Sequence, residues 1–190
     1  QGYEWVGTNT GFHKIVQGQI SESYTKGNFE TGDIPSDTIL SLTHGKKGEL
    51  WVGTFKGLVK FNTQTKEVID YSLLRNKYLS SHLIKFVFED SKGMLWIGTT
   101  NKGLNKLDPF TGDVVQFLSN TDDVNSFHGT EASCIIEDNK GSIWIGGHGL
   151  NKYNAETNTF QHYTETSGLA GNQIKRILED NSGNLWISTN

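Results

Sequence analysis

Six histidines and three Glu-Asp pairs are the residues of this chain that could bind a metal ion or act in acid–base catalysis. No two histidines have the spacing of a metal-binding pair, and no His-Glu-x-x-His sequence is present. The Glu-Asp pairs recur just before a turn that contains glycine, which favours a turn-forming role over acid–base catalysis. The sequence therefore predicts no catalytic residue and no metal site. The residues are His13, His44, His82, His128, His148 and His162, and the pairs 89–90, 137–138 and 179–180.

The segment "SIWIGGHGLNKYN", residues 142–154, has the glycine content of a phosphate-binding loop. Such a loop needs a helix after the glycines, whereas here the pattern continues into another strand. Cys134 follows Ser133 inside an apolar run, with no sign of a nucleophile, and we expect a small buried side chain. No cofactor is predicted.

The composition indicates a β-rich protein and argues against two kinds of partner. Aromatic residues make up 11% of the 190 residues and 22 are glycine, which suits aromatic packing and many turns. The net charge is −4 and no basic run exceeds Lys46-Lys47, so neither nucleic acid nor an anionic membrane is expected to bind. No apolar run is long enough to span a membrane.

A repeat of roughly 45 residues is the main feature of the sequence. Successive tryptophans are separated by 46, 45, 48 and 42 residues, within phrases such as "GELWVGTFKGLVKF" and "GMLWIGTTNKGLNKL". A period of this length fits the four-stranded antiparallel blade of a β-propeller. The tryptophans are Trp5, Trp51, Trp96, Trp144 and Trp186.

Each period contains an apolar run, the tryptophan strand, a Gly-Leu strand and a fourth strand that ends in an aromatic residue. Both faces of a blade are buried, so Leu95 and Ile97 should face one neighbour, and Trp96 and Gly98 the other. We predict an all-β fold in which residues 1–190 form one β-propeller unit of about four repeats.

The ends of the chain predict a partial propeller. Its repeats give three strands, three whole blades and two further strands, although residues 16–37 are too irregular for strands to be placed. A four-bladed ring closed by strands from both ends is the alternative. An open arc would expose apolar blade faces, so self-association is expected.

Ligand-binding residues are expected in the loops, because propellers bind at loops that project from one end. One set of loops follows the tryptophan strand and the other joins the fourth strand to the next blade, and both should project to the same face. The candidate residues are Asn9, Phe55, Asn101 and His148 in the first set, and Tyr78, His82, Asn125, His128 and Asn172 in the second.

The stretch "SCIIEDNKGSIWIGGHGLNKYNAETNTFQHY", residues 133–163, resembles the two-component regulator propeller repeat. Two features depart from the repeat: residues 44–48 replace one Glu-Asp turn, and Gly147-His148-Gly149 shortens one loop. The resemblance implies a periplasmic sensor region of a Bacteroidetes-type hybrid two-component histidine kinase. It also implies that the parent protein has further blades, a β-sandwich domain, a membrane span and the kinase.

By the same resemblance, the ligand is an oligosaccharide derived from a glycan, the output is expression of carbohydrate-use genes, and this segment is not itself an enzyme. Two alternatives stay open. One is a scaffold for protein interactions, and the other is a propeller polysaccharide lyase or glycosidase. The enzyme would need converging carboxylates or a His/Tyr/Arg cluster, and the only arginines are Arg75 and Arg176.

Overall fold

A computed structural model describes residues 2–71 and 79–190, apart from the side chain of Lys47. It contains seventeen strands and two short 3₁₀ helices, Lys46–Gly48 and Glu165–Ser167. The strands are β1 (Tyr3–Thr8), β2 (Gly11–Val16), β3 (Gln19–Tyr24), β4 (Ile39–His44), β5 (Glu49–Thr54), β6 (Gly57–Asn62), β7 (Val68–Asp70), β8 (Ile84–Glu89), β9 (Leu95–Thr99), β10 (Leu104–Leu107), β11 (Val114–Phe117), β12 (Ala132–Glu137), β13 (Ile143–Gly147), β14 (Gly149–Asn154), β15 (Thr159–Tyr163), β16 (Ile174–Glu179) and β17 (Leu185–Thr189).

The strands form five antiparallel sheets in chain order. Sheet 1 is β1-β2-β3, sheet 2 is β4 to β7, sheet 3 is β8 to β11, sheet 4 is β12 to β15 and sheet 5 is β16-β17. This confirms the predicted sequence of three strands, three whole blades and two strands. In the irregular stretch, the structure places β3 at Gln19–Tyr24.

The arc of sheets is open, so the four-bladed ring is not formed. Trp186 and Leu178 lie on the outer face of sheet 5 and are 65% and 66% exposed, whereas Trp51 and Trp96 are 2% and 0% exposed. The tryptophan of each sheet packs towards the following sheet, and in sheet 5 this face is uncovered. The partial propeller predicted from the sequence is confirmed.

The two faces of each tryptophan strand alternate as predicted. Leu95 and Ile97 belong to the apolar cluster that contains Trp51 of sheet 2, whereas Trp96 lies in the cluster with Ile143 and Ile145 of sheet 4. A side chain on either face is therefore buried against a neighbouring sheet, as the period of two along a strand requires.

The glycine two residues after the tryptophan allows the next sheet to approach closely. A Cβ atom at Gly53 would lie 2.6 Å from Ile84 Cγ2, and one at Gly146 would lie 2.6 Å from Ile174 Cγ2. Ile84 and Ile174 begin the inner strands of the following sheets. At Gly98 the next sheet begins with the smaller Ala132, and Phe86 of the same sheet occupies the space instead.

The aspartate of each Glu-Asp pair holds the tryptophan of its own sheet. In sheet 4 the indole Nε1 of Trp144 donates to Asp138 Oδ2 at 2.7 Å, and Asp138 Oδ1 accepts the backbone N–H groups of Lys140 and Ser142. Burial acts to raise the pKa of Asp138, but these hydrogen bonds outweigh it and the pKa lies below its usual value. Asp90 with Trp96 and Asp180 with Trp186 repeat the pair at 2.9 Å.

The glutamate of each pair connects its sheet to the preceding one. Glu137 accepts the backbone N–H and the hydroxyl of Ser91, each at 2.6 Å, and Glu179 accepts the backbone N–H of Asn139 at 2.8 Å. These bonds join consecutive turns along the arc. The Glu-Asp pairs are thus structural, as their recurrence in the sequence predicted.

Sheet 2 departs from the pattern and shows how the pair can be replaced. Gly45 stands where the other turns have aspartate, and Trp51 Nε1 donates instead to Glu89 Oε2 of sheet 3 at 2.9 Å. A Cβ atom at Gly45 would lie 2.9 Å from Trp51 Nε1 and 3.1 Å from Glu89 Oε2. Glycine therefore leaves the space in which the glutamate of the next sheet reaches the indole.

We expect Asp138→Ala to destabilise the fold by about 2 kcal/mol, because it removes the acceptor of three hydrogen bonds, one of them from a partly buried indole. The matched control is Asp122→Ala in an exposed part of the linker, where a change within about 0.5 kcal/mol is expected. Urea denaturation measures both, and equal midpoints for the two variants would contradict the structural role of Asp138.

Candidate functional site

The linkers that enter sheets 2 to 5 are anchored by one apolar side chain each. This residue lies five positions before the inner strand begins, and it packs into the cluster between sheets. The anchors are Ile34, Leu79, Phe127 and Leu169, and the strands they precede begin at Ile39, Ile84, Ala132 and Ile174. The described parts of these linkers are therefore held over one end of the sheets, which we call the loop face.

In two linkers, the residue that follows the anchor is hydrogen-bonded to a buried asparagine on the third strand of the sheet. Asn151 Oδ1 accepts the backbone N–H of His128 at 3.0 Å, and Asn105 Oδ1 accepts that of Ser80 at 2.9 Å. Both asparagines are fully buried. Each belongs to a "GLNK" phrase, so the repeat itself indicates this role, although neither asparagine is among the residues predicted from the sequence.

The two predicted sets of loops meet at the loop face. The loop after a tryptophan strand donates to the linker of the next sheet, with Gly103 N bound to Thr130 O at 2.8 Å and Gly149 N bound to Asn172 O at 2.6 Å. Gly11 N donates to Asp37 O in the same way at 2.8 Å. The prediction that both sets project to one face agrees with these bonds.

Three histidines come together at the loop face of sheet 4. The ring of His128 lies 5.1 Å from that of His148 and 5.4 Å from that of His162. His162 Nδ1 lies 2.9 Å from Asn151 Oδ1, and because an amide oxygen only accepts, Nδ1 carries the proton. His148 Nδ1 lies 3.2 Å from Gln173 Nε2 of the next linker. The sequence singled out His128 and His148 but not His162.

Neutral imidazoles are favoured at His128 and His162. Burial, followed by the nearby His148, lowers the pKa of His128, and its buried Nδ1 has no hydrogen-bond partner among the described residues. Burial and the nearby His128 also lower the pKa of His162, although the carbonyls of Ser126 and Val124 act in the opposite direction. Across residues 2–71 and 79–190, no group of three His, Cys, Asp or Glu side chains is arranged to hold a metal ion.

A cavity of about 320 Å³ opens beside this group. His128 and His162 line it together with polar residues of the linker and with Thr164, and Val124 supplies an apolar wall. The polar residues are Ser119, Asn120, Thr121, Asp123 and Ser126. Hydroxyl, amide and imidazole groups around a volume of this size can bind a small polar molecule by hydrogen bonds.

The remaining predicted residues that the structure describes do not line the cavity. Asn9, Phe55 and Asn101 occupy exposed turns of sheets 1, 2 and 3, and His82 is exposed in the linker to sheet 3. Asn125 lies beside the outer strand β15, where its carbonyl accepts Phe160 N, and the Asn172 side chain accepts Glu165 N. Tyr78 lies outside the described residues. Of the eight predicted residues that the structure describes, His128 alone lines this cavity.

The lowered pKa values of His128 and His162 predict that stability falls as the pH falls below about 6.5, the value of an unfolded histidine. Between the folded and unfolded values the unfolded state binds more protons, so unfolding becomes more favourable with acid. We expect the melting temperature to fall between pH 7.5 and 5.5, and to fall less in His128→Gln and His162→Gln. The exposed His82→Gln is the control, and an unchanged pH slope in both cavity variants would contradict the assignment.

Three segments of the chain match the model of the two-component regulator propeller family, at residues 78–101, 126–149 and 168–190. The chain is also similar to a protein called Histidine kinase P4 from Formosa agariphila. The two are 32% identical over 99 residues, which is 50% of this chain and 7% of that protein. The chain therefore spans a small part of its curated relative.

Solved structures share the fold. The extracellular domain of a protein assigned to the one-component systems of Bacteroides thetaiotaomicron gives a TM-score of 0.76 at 24% identity, over 97% of this chain and 24% of that chain. A second such domain, assigned to a hybrid two-component system of the same organism, gives 0.70 at 23% identity, over 80% and 22%. Virginiamycin B lyase from Staphylococcus aureus gives 0.71 at 16% identity, over 99% and 60%.

The repeat period, the open series of four-stranded sheets and the family matches lead to one assignment. None of the helices in the described part of the chain is long and apolar enough to cross a membrane. The described part of the chain is a partial β-propeller, and three of its segments match the two-component regulator propeller family.

Proposed function

We propose that this chain is a ligand-sensing segment in the periplasmic part of a hybrid two-component histidine kinase, and that its ligand is an oligosaccharide derived from a glycan. In this proposal the parent protein contributes further blades, a β-sandwich domain and the kinase, and it controls carbohydrate-use genes. The family of the repeats, the similar histidine kinase and the extracellular domains with the same fold support a sensor role.

The observation that carries the oligosaccharide proposal is the cavity beside His128. Its lining is rich in hydroxyl and amide groups that can both donate and accept hydrogen bonds, as sugar hydroxyls require. Val124 can contact the apolar face of a sugar ring. The volume of about 320 Å³ is at the lower end of the range for small-molecule sites, so a short oligosaccharide would be only partly enclosed.

Binding is favoured over catalysis because the recurring carboxylates are already engaged. Asp90, Asp138 and Asp180 accept tryptophan N–H groups, and the preceding glutamates accept bonds from neighbouring turns. These turns lie at the end of the sheets opposite the loop face. Virginiamycin B lyase has the same fold, but the fold alone does not make this segment an enzyme. The second candidate function is a scaffold for protein interactions, which the exposed face of sheet 5 favours.

The linker that lines the cavity also offers a route from ligand to signal. It runs from sheet 3 into sheet 4, and His128 within it contacts His148, which lies beside the linker to sheet 5. A ligand that binds one arrangement of these linkers more tightly would shift the population of blade arrangements towards it. Changes in domain arrangement within a dimer would then reach the kinase.

We expect a short oligosaccharide from a plant or microbial glycan panel to raise the melting temperature of this chain, and His128→Ala to weaken its binding at least about tenfold by removing a side chain of the cavity. The matched control is Phe110→Ala at the opposite end of the sheets, where the ring is 88% exposed. Titration calorimetry measures both variants. Equal loss in the two variants, or binding unchanged by His128→Ala, would contradict this site.

We also infer that this 190-residue chain, by itself, self-associates through the outer face of sheet 5. Trp186, Leu178 and Arg176 are exposed there, whereas the same face of sheets 2 to 4 is covered by the next sheet. Burial of apolar area at roughly 25 cal/mol per Å² favours pairing of such faces.

Light scattering on a sizing column should show a species larger than 21.2 kDa that dissociates in Trp186→Lys. Phe110→Lys, which changes an exposed ring away from this face, should leave the mass unchanged. A wild-type chain that stays monomeric at high concentration would contradict the inference.

A further inference from the structure

The loop that follows the tryptophan strand has a basic residue at the same position in three consecutive sheets. Each of these residues directly precedes the glycine at the start of the third strand, and each is exposed. These loops are bonded to the linker of the next sheet at the loop face. The residues are Lys56 in sheet 2, Lys102 in sheet 3 and His148 in sheet 4. The first row of cations thus runs along the loop face.

A second row of side chains comes from β-bulges in the inner strands. In β4, β8, β12 and β16 the register with the tryptophan strand shifts directly after the first residue. The extra residue of a bulge is left unpaired, and its side chain is re-aimed. The four bulge residues are Leu40, Lys85, Ser133 and Lys175. The inner strands begin at the loop face, so Lys85 and Lys175 add positive charge there.

The two rows meet where the linker enters sheet 4. Lys85 Nζ of sheet 3 donates to Glu131 Oε1 of this linker. Gly103, the residue after Lys102, forms a parallel β-bridge with the same Glu131. Two lysines from different strands therefore flank one carboxylate. We call the four lysines of the two rows, Lys56, Lys85, Lys102 and Lys175, the basic rim.

The charge of the basic rim is only partly neutralised. Lys56, Lys102 and Lys175 have no ion-pair partner among residues 2–71 and 79–190. The corresponding linker positions supply two carboxylates. One is Glu131, which is paired with Lys85, and the other is Asp37, whose Oδ1 accepts the backbone N–H of Lys26 at 2.6 Å. The rim therefore has an excess of positive charge on a chain whose net charge is −4.

We propose that the ligand of the loop face is an acidic oligosaccharide, which carries carboxylate or sulfate groups, and that the basic rim binds these groups. The proposal rests on the proposed function, because it names the class of oligosaccharide for the same site. A lysine ammonium acts as a point charge with three donors, so it binds either kind of anion without a fixed geometry.

The cavity beside His128 and the basic rim are close enough for one ligand to contact both. Glu131 at the rim follows His128 by three residues, and three residues of extended chain span at most about 10 Å. Among the described residues that line the cavity, Asp123 is the one carboxylate, and no lysine or arginine joins it. The cavity thus suits an uncharged sugar residue, and the acidic group belongs to an adjoining residue that lies over Lys85 and Lys102.

The first test measures the affinity of the whole chain for a panel of short acidic and neutral oligosaccharides by titration calorimetry. We expect the tightest ligand to be acidic, and its uncharged counterpart, the methyl ester or the desulfated sugar, to bind at least about tenfold more weakly. High salt should weaken the acidic ligand and leave its counterpart nearly unchanged, because salt screens exposed charges. The two kinds of acidic ligand show whether carboxylate or sulfate is preferred.

The second test assigns the charge effect to the basic rim. Lys102→Gln should weaken binding of the acidic ligand about threefold, and Lys102→Glu about tenfold, with no change for the uncharged counterpart. Lys140→Gln and Lys140→Glu are the matched controls, because Lys140 is an exposed lysine in a turn at the opposite end of the sheets. His128→Ala should weaken both ligands, since it changes the cavity that they share.

The outcomes separate this proposal from the proposed function. Tightest binding by a neutral oligosaccharide would overturn the acidic class and leave a sugar-binding sensor. Equal effects of the Lys102 and Lys140 changes would overturn the role of the basic rim in the same way. Absence of binding by every member of the panel would overturn the sugar-binding function, and the acidic class with it.

Discussion

The hydrogen bond between a tryptophan indole and a carboxylate is the interaction on which the rest of the structure depends. In sheets 3 and 4 it fixes the orientation of a large ring whose body fills the space between two sheets, and in sheets 3 to 5 the same carboxylate closes the turn that leads into the tryptophan strand. Orientation and turn are therefore set by one side chain. The following glycine then lets the next sheet approach, so each repeat prepares the surface on which its neighbour packs.

Each repeat has a constant end, the turn before its tryptophan strand, and a variable end, the loop face. At the turns, Asp and Glu side chains are used for hydrogen bonds within and between sheets, and little freedom is left for other chemistry. At the loop face, one apolar anchor per linker and an asparagine in two sheets hold the backbone, while the residues around them differ from sheet to sheet. Sheet 4 has histidines and hydroxyl groups in this position, and the cavity is found there. The constant end thus holds a scaffold on which the variable end can be adapted to a ligand.

The two terminal sheets expose what the internal sheets conceal. The outer face of sheet 5 shows the apolar surface that a following sheet would cover, and sheet 1 shows an unpaired strand edge among the described residues. In the internal sheets, the corresponding face is covered by the next sheet and the corresponding edge is paired with an inner strand. Glu4 differs from its counterparts in the other sheets. The residue before the tryptophan is aliphatic in sheets 2 to 5, namely Leu50, Leu95, Ile143 and Leu185, whereas Glu4 places a charge at this position in sheet 1.

The sequence by itself determined the repeat, the four-stranded blade, the partial propeller and the structural role of the Glu-Asp turns. These features depend on residues close together in the chain, and repetition of the same spacing several times made them visible. The sequence also predicted that two sets of loops share one face. It did not predict that His162, on an outer strand, joins His128 and His148, nor that Asn151 holds the linker, because these residues are brought together across strands and between sheets. The same reason explains Glu89, whose partner Trp51 is 38 residues away in the preceding sheet. Only the tertiary structure decides such contacts, since the curvature of the arc and the packing of adjacent sheets set which side chains meet.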